Sequence, residues 1–292
     1  MSRARAAVIG GSGFYALEDL TDVEEARPDT PFGPPSDTIV IGTLKGTRVA
    51  FLPRHGRGHG ILPSHLPSRA NIYALKTLGV EFVIGVSAVG SLRDDIAPLD
   101  LAVPDQLIDR TAGRPSTFFG DGLAAHIPFA EPFCPVLRRA LYEAATQAGA
   151  TVHNGGTLVV MEGPAFSTRA ESALHRTWGA SLIGMTALPE AKLAREAEMC
   201  YATLACTTDY DCWHEGYASV TAEMIVRNLM ESLTVARQAV GLALGRLPAH
   251  RDCPCASALR DAVVTPWHLV PENTKQKLAP IIGKYLDQTG AA

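Results

Sequence analysis

Apolar runs of strand length alternate with amphipathic stretches of helix length along nearly the whole chain, and this alternation limits the fold more than any other feature. Residues 6–11, AAVIGG, form an apolar run that enters a glycine turn. DTIVIGTL and GTRVAFLPRHG predict a hairpin with Lys45 and Gly46 in its turn. Further strands are predicted over 81–92, 155–164, 181–185 and 198–209. Helices are predicted over 67–79, stopped by Gly79, and over 134–149, with Pro135 in the first turn and Gly149 at the end. A third, over 189–199, opens on Pro189. Ile225, Leu229, Leu233, Ala236, Val240 and Leu244 recur at steps of three and four, which predicts a long amphipathic helix. Mixed alternation of this kind predicts an α/β sandwich. With 292 residues, 47% of them hydrophobic, the chain can bury one large core, so a single domain over 1–292 is expected. The tail from about residue 248 reads as irregular and then helical.

The net charge of −4 gives no basic field for a nucleic acid or a membrane surface. No apolar stretch approaches the ~20 residues of a membrane helix. The apolar run of MSRARAAVIGGSG breaks at glycines too soon for a signal peptide. A soluble, cytoplasmic protein is expected. Cys134, Cys200, Cys206, Cys212, Cys253 and Cys255 include no CxxC pair, so no metal site is expected from their spacing. The CPC at 253–255 stands apart from the others.

In open α/β sheets ligands bind beyond the carboxyl ends of strands. Five strand ends here carry polar or small residues. IGGSG lacks both nucleotide fingerprints, and reads either as a tight turn or as a backbone nest with the Ser12 hydroxyl on an anion. PRHGRGHG crowds Arg54, His55, Arg57 and His59 among three glycines. The HxxxH spacing of a metal pair needs a helix, which those glycines disfavour, so a phosphate-type anion fits better. A solvated basic loop is the plain alternative. SAVGSL lets backbone amides approach a ligand, or packs closely for its own sake. MEGPAFST offers Phe166 as a stacking plate or as core. CTTDYDCW sets Asp209 and Asp211 side by side; two close carboxylates repel, and one tends to hold its proton at neutral pH. A protonated carboxyl matches the N7 acceptor and N6 donor of adenine with two bonds. Solvated loop acids are the alternative for a bare DxD.

Several of these runs, in order, resemble the methylthioadenosine phosphorylases of the trimeric purine nucleoside phosphorylase family: AVIGGSGFY, DTPFGPPSD, RHGRGH, PSRANIYALK, GSLRDDIAPLD, HIPFAEPFCP, EGPAFSTRAES, MTALPEAKLAREAEMCYA and TDYDCW. The likeness runs to the helix ending near Gly245, and the tail after Arg246 matches poorly. The resemblance implies a three-layer α/β/α sandwich around a mixed sheet. It implies cleavage of a purine–ribose bond by inorganic phosphate, a co-substrate, with no cofactor and no metal. It places phosphate on Ser12, Arg54, His55, Ser87, Ala88, Thr186 and Thr208, and the ribose hydroxyls on the backbone at Met185. It places Phe166 against the purine and Asp209 on N7 and N6, donating its proton to N7 as the base leaves. Asp211 then lies near N6 and helps to keep Asp209 protonated.

Relatives that prefer 6-oxopurines carry Asn where this chain has Asp209, and Glu where it has Ser167. Both differences imply a 6-aminopurine. Ala222, Ile225 and Val226 would form an apolar wall suited to a methylthio group. Ala222 stands where a family pattern has Val, and Gly184 where Asn occurs, so a roomier 5′ pocket that admits adenosine is the alternative specificity. His59 and His126 match positions near the 5′ end, His126 from a neighbouring subunit, which implies a homotrimer, with pairing of trimers into a hexamer left open. The resemblance also extends CPC, Cys134 and Cys200 to positions bridged by disulfides in heat-stable relatives, with free thiols as the alternative. A nucleosidase using water and a non-catalytic purine-binding module are the rival functions.

Overall fold

The computed structural model describes residues 4–11, 20–216 and 221–286. In chain order its strands are β1 (Ala6–Gly10), β2 (Thr21–Ala26), β3 (Ile39–Leu44), β4 (Thr47–Pro53), β5 (Phe82–Ser91), β6 (Leu101–Val103), β7 (Gln106–Arg110), β8 (Val152–Asn154), β9 (Thr157–Met161), β10 (Leu182–Gly184) and β11 (Cys200–Asp209). Its α-helices are α1 (Ser68–Thr77), α2 (Pro135–Gln147), α3 (Arg169–Thr177), α4 (Ala187–Glu196), α5 (Ala222–Leu244) and α6 (Glu272–Leu286). All the strands join one mixed sheet.

The sheet is organised around β5. On one side β5 pairs in parallel with β1, β1 pairs in parallel with β4, and β3 and β2 follow antiparallel. Lys45 and Gly46, both at positive φ, make the tight turn of the β3–β4 hairpin. On its other side β5 forks. Phe82 to Gly90 pairs in parallel with β11, while Gly90 and Ser91 pair antiparallel with β10. Beyond the fork, β10 leads to β9 and β7, and β11 leads to β6 and β8. The register of β11 shifts between Thr207 and Asp209, which sets Asp209 opposite Gly90 at the fork.

Alternation along the central strands assigns side chains to two cores. Ala7, Ile9, Ala50, Leu52, Val83 and Tyr201 face α1, α4 and α6. Ala6, Val8, Val49, Phe51, Phe82, Ile84, Ala202 and Leu204 face α2 and α5. Helices on both faces of a mixed sheet make a three-layer α/β/α sandwich. The tail is part of both cores: Cys253 and Cys255 enter one, and Leu259, Leu278, Ile281 and Ile282 enter the other. Glu198 holds it there, accepting from Leu259 N–H at 3.0 Å and from the Tyr285 hydroxyl at 2.5 Å.

Candidate active site

The parallel strands β1, β4, β5 and β11 end on one edge of the sheet, where the chain encloses a cavity of about 360 Å³. Arg54, His55, His59, Ser87, Ala88, Phe166, Ser167, Met185, Thr186, Asp209, Asp211, Ala222, Ile225 and Val226 all line it. Segments more than 150 residues apart in sequence thus converge on one space. Ser12 lies outside the described residues.

Arg54 leaves the end of β4 and is only 1% exposed. Its Nε and Nη2 donate to the two oxygens of Glu190 at 2.5 and 3.1 Å, its Nη1 to Val86 O at 2.8 Å, and its Nη2 to Ile9 O at 3.0 Å. The fork that the sequence suggested for an anion is therefore held by a protein carboxylate, and the guanidinium is fixed in orientation at the cavity wall. The Tyr201 hydroxyl donates to Glu190 Oε2 at 2.9 Å and completes the network. That network passes β5 at Gly85, where a Cβ would lie 2.5 Å from the Tyr201 oxygen. Glu190 sits inside a helix pattern that gives no sign of a buried charge, so the sequence alone does not point to it.

His55 Nδ1 lies 2.7 Å from Ile61 O. A carbonyl only accepts, so Nδ1 carries hydrogen and Nε2 is left as an acceptor in the neutral ring. Burial, with help from the Arg54 charge, pushes the His55 pKa down to about 4 against the opposing Ile61 contact. His55 is therefore neutral at physiological pH. The His59 ring stacks on it at 4.2 Å, and burial lowers the His59 pKa as well.

Asp209 is buried at the end of β11. Its Oδ1 accepts from Asp211 N–H at 2.8 Å and its Oδ2 from the Thr208 hydroxyl at 2.7 Å. Both bonds favour the charged form, yet burial outweighs them and the pKa is raised. The neighbouring Asp211 charge is the smaller contribution. This corrects the cause expected from sequence, where repulsion between the pair was the reason for a retained proton. Asp211 stands at φ 51°, a left-handed position that Asp tolerates. Gly90 makes room for the carboxylate, since a Cβ there would fall 2.9 Å from Asp209 Oδ1.

Thr208 departs from its expected place. It is absent from the cavity lining, is buried, and directs its hydroxyl to Asp209, with Val89 O at 3.3 Å as a second acceptor. The register shift in β11 turns its side chain into the wall. Asn228 of α5 donates to Thr208 O at 2.6 Å and ties the helix to this strand end.

Thr221 caps α5 by accepting from Met224 N–H at 3.2 Å. The first two turns then present Ala222, Ile225, Val226, Leu229 and Met230 to the cavity. The last two extend the expected apolar wall. Phe166 follows the cis Gly163–Pro164 bond and is 43% exposed at the cavity. Arg114 braces the opposite side, donating to Met185 O at 2.7 Å, Leu188 O at 3.0 Å and the Glu162 carboxylate at 2.9 Å. Glu162 is thus a partner of Arg114. His126 is exposed and does not line its own chain's cavity. Away from the site, the sulfurs of Cys134, Cys200, Cys253 and Cys255 all lie within 4.8 Å of one another, a cluster that sequence spacing concealed.

An α/β/α sandwich with an arginine, a neutral histidine and an aspartate whose pKa burial raises, all around one strand-end cavity, is of the nucleoside phosphorylase type. Comparison with known proteins agrees. The family model of the phosphorylase superfamily matches residues 5–244. The S-methyl-5′-thioadenosine phosphorylase of Geobacter sulfurreducens is 55% identical over 280 residues, covering 96% of this chain and 98% of that one. That of Chloroflexus aurantiacus is 57% identical, covering 98% and 99%. Among solved structures, a methylthioadenosine phosphorylase from an antarctic soil metagenomic library superposes with a TM-score of 0.92 at 47% identity, covering 96% of this chain and 99% of its own. The Schistosoma mansoni methylthioadenosine phosphorylase in complex with adenine has a TM-score of 0.82 at 33% identity, covering 96% and 98%. The chain belongs to the S-methyl-5′-thioadenosine phosphorylase family of the phosphorylase superfamily.

Proposed function

We propose that the protein cleaves S-methyl-5′-thioadenosine with inorganic phosphate, releasing adenine and 5-methylthioribose 1-phosphate. One observation carries the reading: a buried Asp209, its pKa raised by that burial, shares a single cavity with Arg54, His55 and Ser87. A phosphate oxygen forms the bond to C1′ as the N9–C1′ bond breaks, and the bond pair passes into the purine. Asp209 supplies the proton to N7, so the base leaves neutral and the carboxylate remains. Thr208 O–H and Asp211 N–H are already placed on the two oxygens that receive that charge.

Arg54 provides positive charge at the phosphate end. His55, neutral with Nε2 as acceptor, suits the oxygen of a phosphate that still carries hydrogen. Ser87, Ala88 and Thr186 supply further donors there, and Ser12 is assigned to the same end by resemblance. Phe166 packs on the purine, and Ser167 leaves the adenine N1 edge without a carboxylate. The apolar first turns of α5 take the methylthio group. Phosphate is a co-substrate and no cofactor enters the reaction. Adenine and 5-methylthioribose 1-phosphate are products that purine and methionine salvage reactions would consume, and a cytoplasmic location is part of the same proposal.

The proposal includes a homotrimer: the resemblance directs His126 to a neighbour's 5′ pocket, and its exposure in a single chain is compatible with that. Mixing an inactive His126→Ala chain with an inactive Arg54→Ala chain is expected to restore part of the activity; no restoration removes the shared site. The reaction itself is tested by adenine release from methylthioadenosine with and without phosphate. Release that requires phosphate supports the reading, and equal release without it indicates a nucleosidase.

A further inference from the structure

Four of the six cysteines meet at one point on the α2–α5 face of the sheet, at the opposite end of β11 from Asp209. Cys134 is the residue that caps α2, Cys200 opens β11, and Cys253 and Cys255 come from the tail. All four are buried. Cys134 N–H donates to Tyr201 O at 2.8 Å, which fixes the start of α2 against the start of β11. On the tail side, Arg251 donates to Glu198 O at 2.7 Å and so sets the CPC turn over the same point.

The geometry points to a tetrathiolate site for one soft divalent cation, zinc by ligand chemistry, held by Cys134, Cys200, Cys253 and Cys255. All six sulfur–sulfur separations are within 4.8 Å, and Cys200 and Cys253 are 3.3 Å apart. A tetrahedral zinc with Zn–S bonds of about 2.3 Å requires edges of about 3.8 Å. Convergence of all four sulfurs on one centre is what a single ion demands. Two separate disulfides need only two close pairs. Buried thiols acting as small hydrophobes need no sulfur neighbours at all.

The surroundings suit thiolates. Cys134 stands at the N-terminal end of α2 and Cys253 at the start of the 254–257 turn. The positive end of the α2 dipole faces the same cluster and offsets part of the two negative charges that four thiolates leave on a divalent ion. The site clips the tail to the first residue of the strand whose last residue is Asp209, so its role is to stabilise the fold rather than to react.

Metal analysis of the full chain, purified with a thiol reductant and without chelator, tests the site. One zinc per chain is expected, together with sulfur-to-metal charge-transfer bands and tetrahedral d–d bands after cobalt exchange. Metal retention in Cys253→Ser/Cys255→Ser should weaken by more than the about 10–100-fold that changes around metal ligands cause. Cys206→Ser, outside the cluster, should keep its full metal content. In the unmutated chain, a strong chelator should lower the Tm while leaving the KM for phosphate unchanged. A chain that takes up neither zinc nor cobalt overturns the site, whether its four cysteines are then found as two disulfides in a non-reducing peptide map or as free thiols on denaturation.

Discussion

Arg54 and Glu190 form a buried ion pair with both carboxylate oxygens engaged, although 136 residues separate them in sequence. Glu190 sets a carboxylate against the buried Arg54 charge in the wall of the sheet. Glu190 therefore stabilises the fold and aims the guanidinium at the same time. Removing it takes the carboxylate away from a buried cation. Glu190→Ala should destabilise the protein by about 3–5 kcal/mol in denaturant unfolding. The milder Glu190→Gln, which keeps the shape and one acceptor, should raise the KM for phosphate more than it lowers kcat. An unchanged KM in a folded Glu190→Gln enzyme would show that Glu190 does not position Arg54.

His55 makes a prediction about pH. Its pKa is depressed to about 4 in the fold, against 6.5 for the ordinary side chain. Below 6.5 the unfolded chain takes up a proton that the folded chain refuses, so stability falls as pH drops from 6.5 toward 4. Replacing His55 with Gln should flatten that part of the stability–pH curve. The His55 ring resonances should show no titration in NMR between pH 6 and 8. A titration in that window would return His55 to the role of a cationic phosphate ligand.

Gly90 tests the geometry without replacing a titratable group. A methyl at this position would sit 2.9 Å from Asp209 Oδ1 and 3.1 Å from Ile183 Cγ2, both on the walls of the fork. Gly90→Ala should displace the carboxylate and lower kcat/KM for methylthioadenosine by about 10²-fold, the scale of a 1 Å misplacement. A fully active Gly90→Ala enzyme would place the proton donor elsewhere.

Thr208 acts on the proton of Asp209. Its hydroxyl favours the ionised carboxylate, so Thr208→Val should raise the Asp209 pKa further. The acid then stays protonated to higher pH, and the alkaline limb of the kcat profile should move up. A limb that moves down would mean that Thr208 stabilises the acid form instead.

The β5–β11 core, the β3–β4 hairpin and helices α1, α2 and α5 were legible because apolar periodicity, glycine stops and proline starts agreed there. The predicted 189–199 helix ends three residues early, at Glu196, and the chain enters β11 at Cys200. β2, with the sequence TDVEEA, is exposed along most of its length and carries no apolar alternation to read. β6 and β8 are three residues long, too short for any period. α3 was not predicted: Thr168 and Glu171 form a capping box at its start, but its mostly exposed residues carry no apolar period to read. At the site, residues with distinctive chemistry on strand-end loops could be named from sequence. Glu190, Arg114, Asn228 and the four-cysteine cluster could not, because their partners lie far along the chain. Thr208 illustrates the remaining gap, since one register shift decides whether its hydroxyl meets a ligand or Asp209.

The double role of Asp209 is the centre of the account: reader of the 6-amino group and acid for the leaving base. Asparagine cannot give up a proton, but its amide can donate to O6 of an oxopurine. Asp209→Asn should therefore lose about 10²–10⁴-fold in rate on methylthioadenosine, the usual contribution of a positioned general acid. Its rate on methylthioinosine should fall far less, or rise. The deciding measurement is the ratio of phosphorolysis rates on these two nucleosides, wild type against Asp209→Asn, at saturating phosphate. A ratio that shifts strongly toward methylthioinosine is the predicted result. A ratio that stays at the wild-type value would contradict the assignment of Asp209 as base reader and acid.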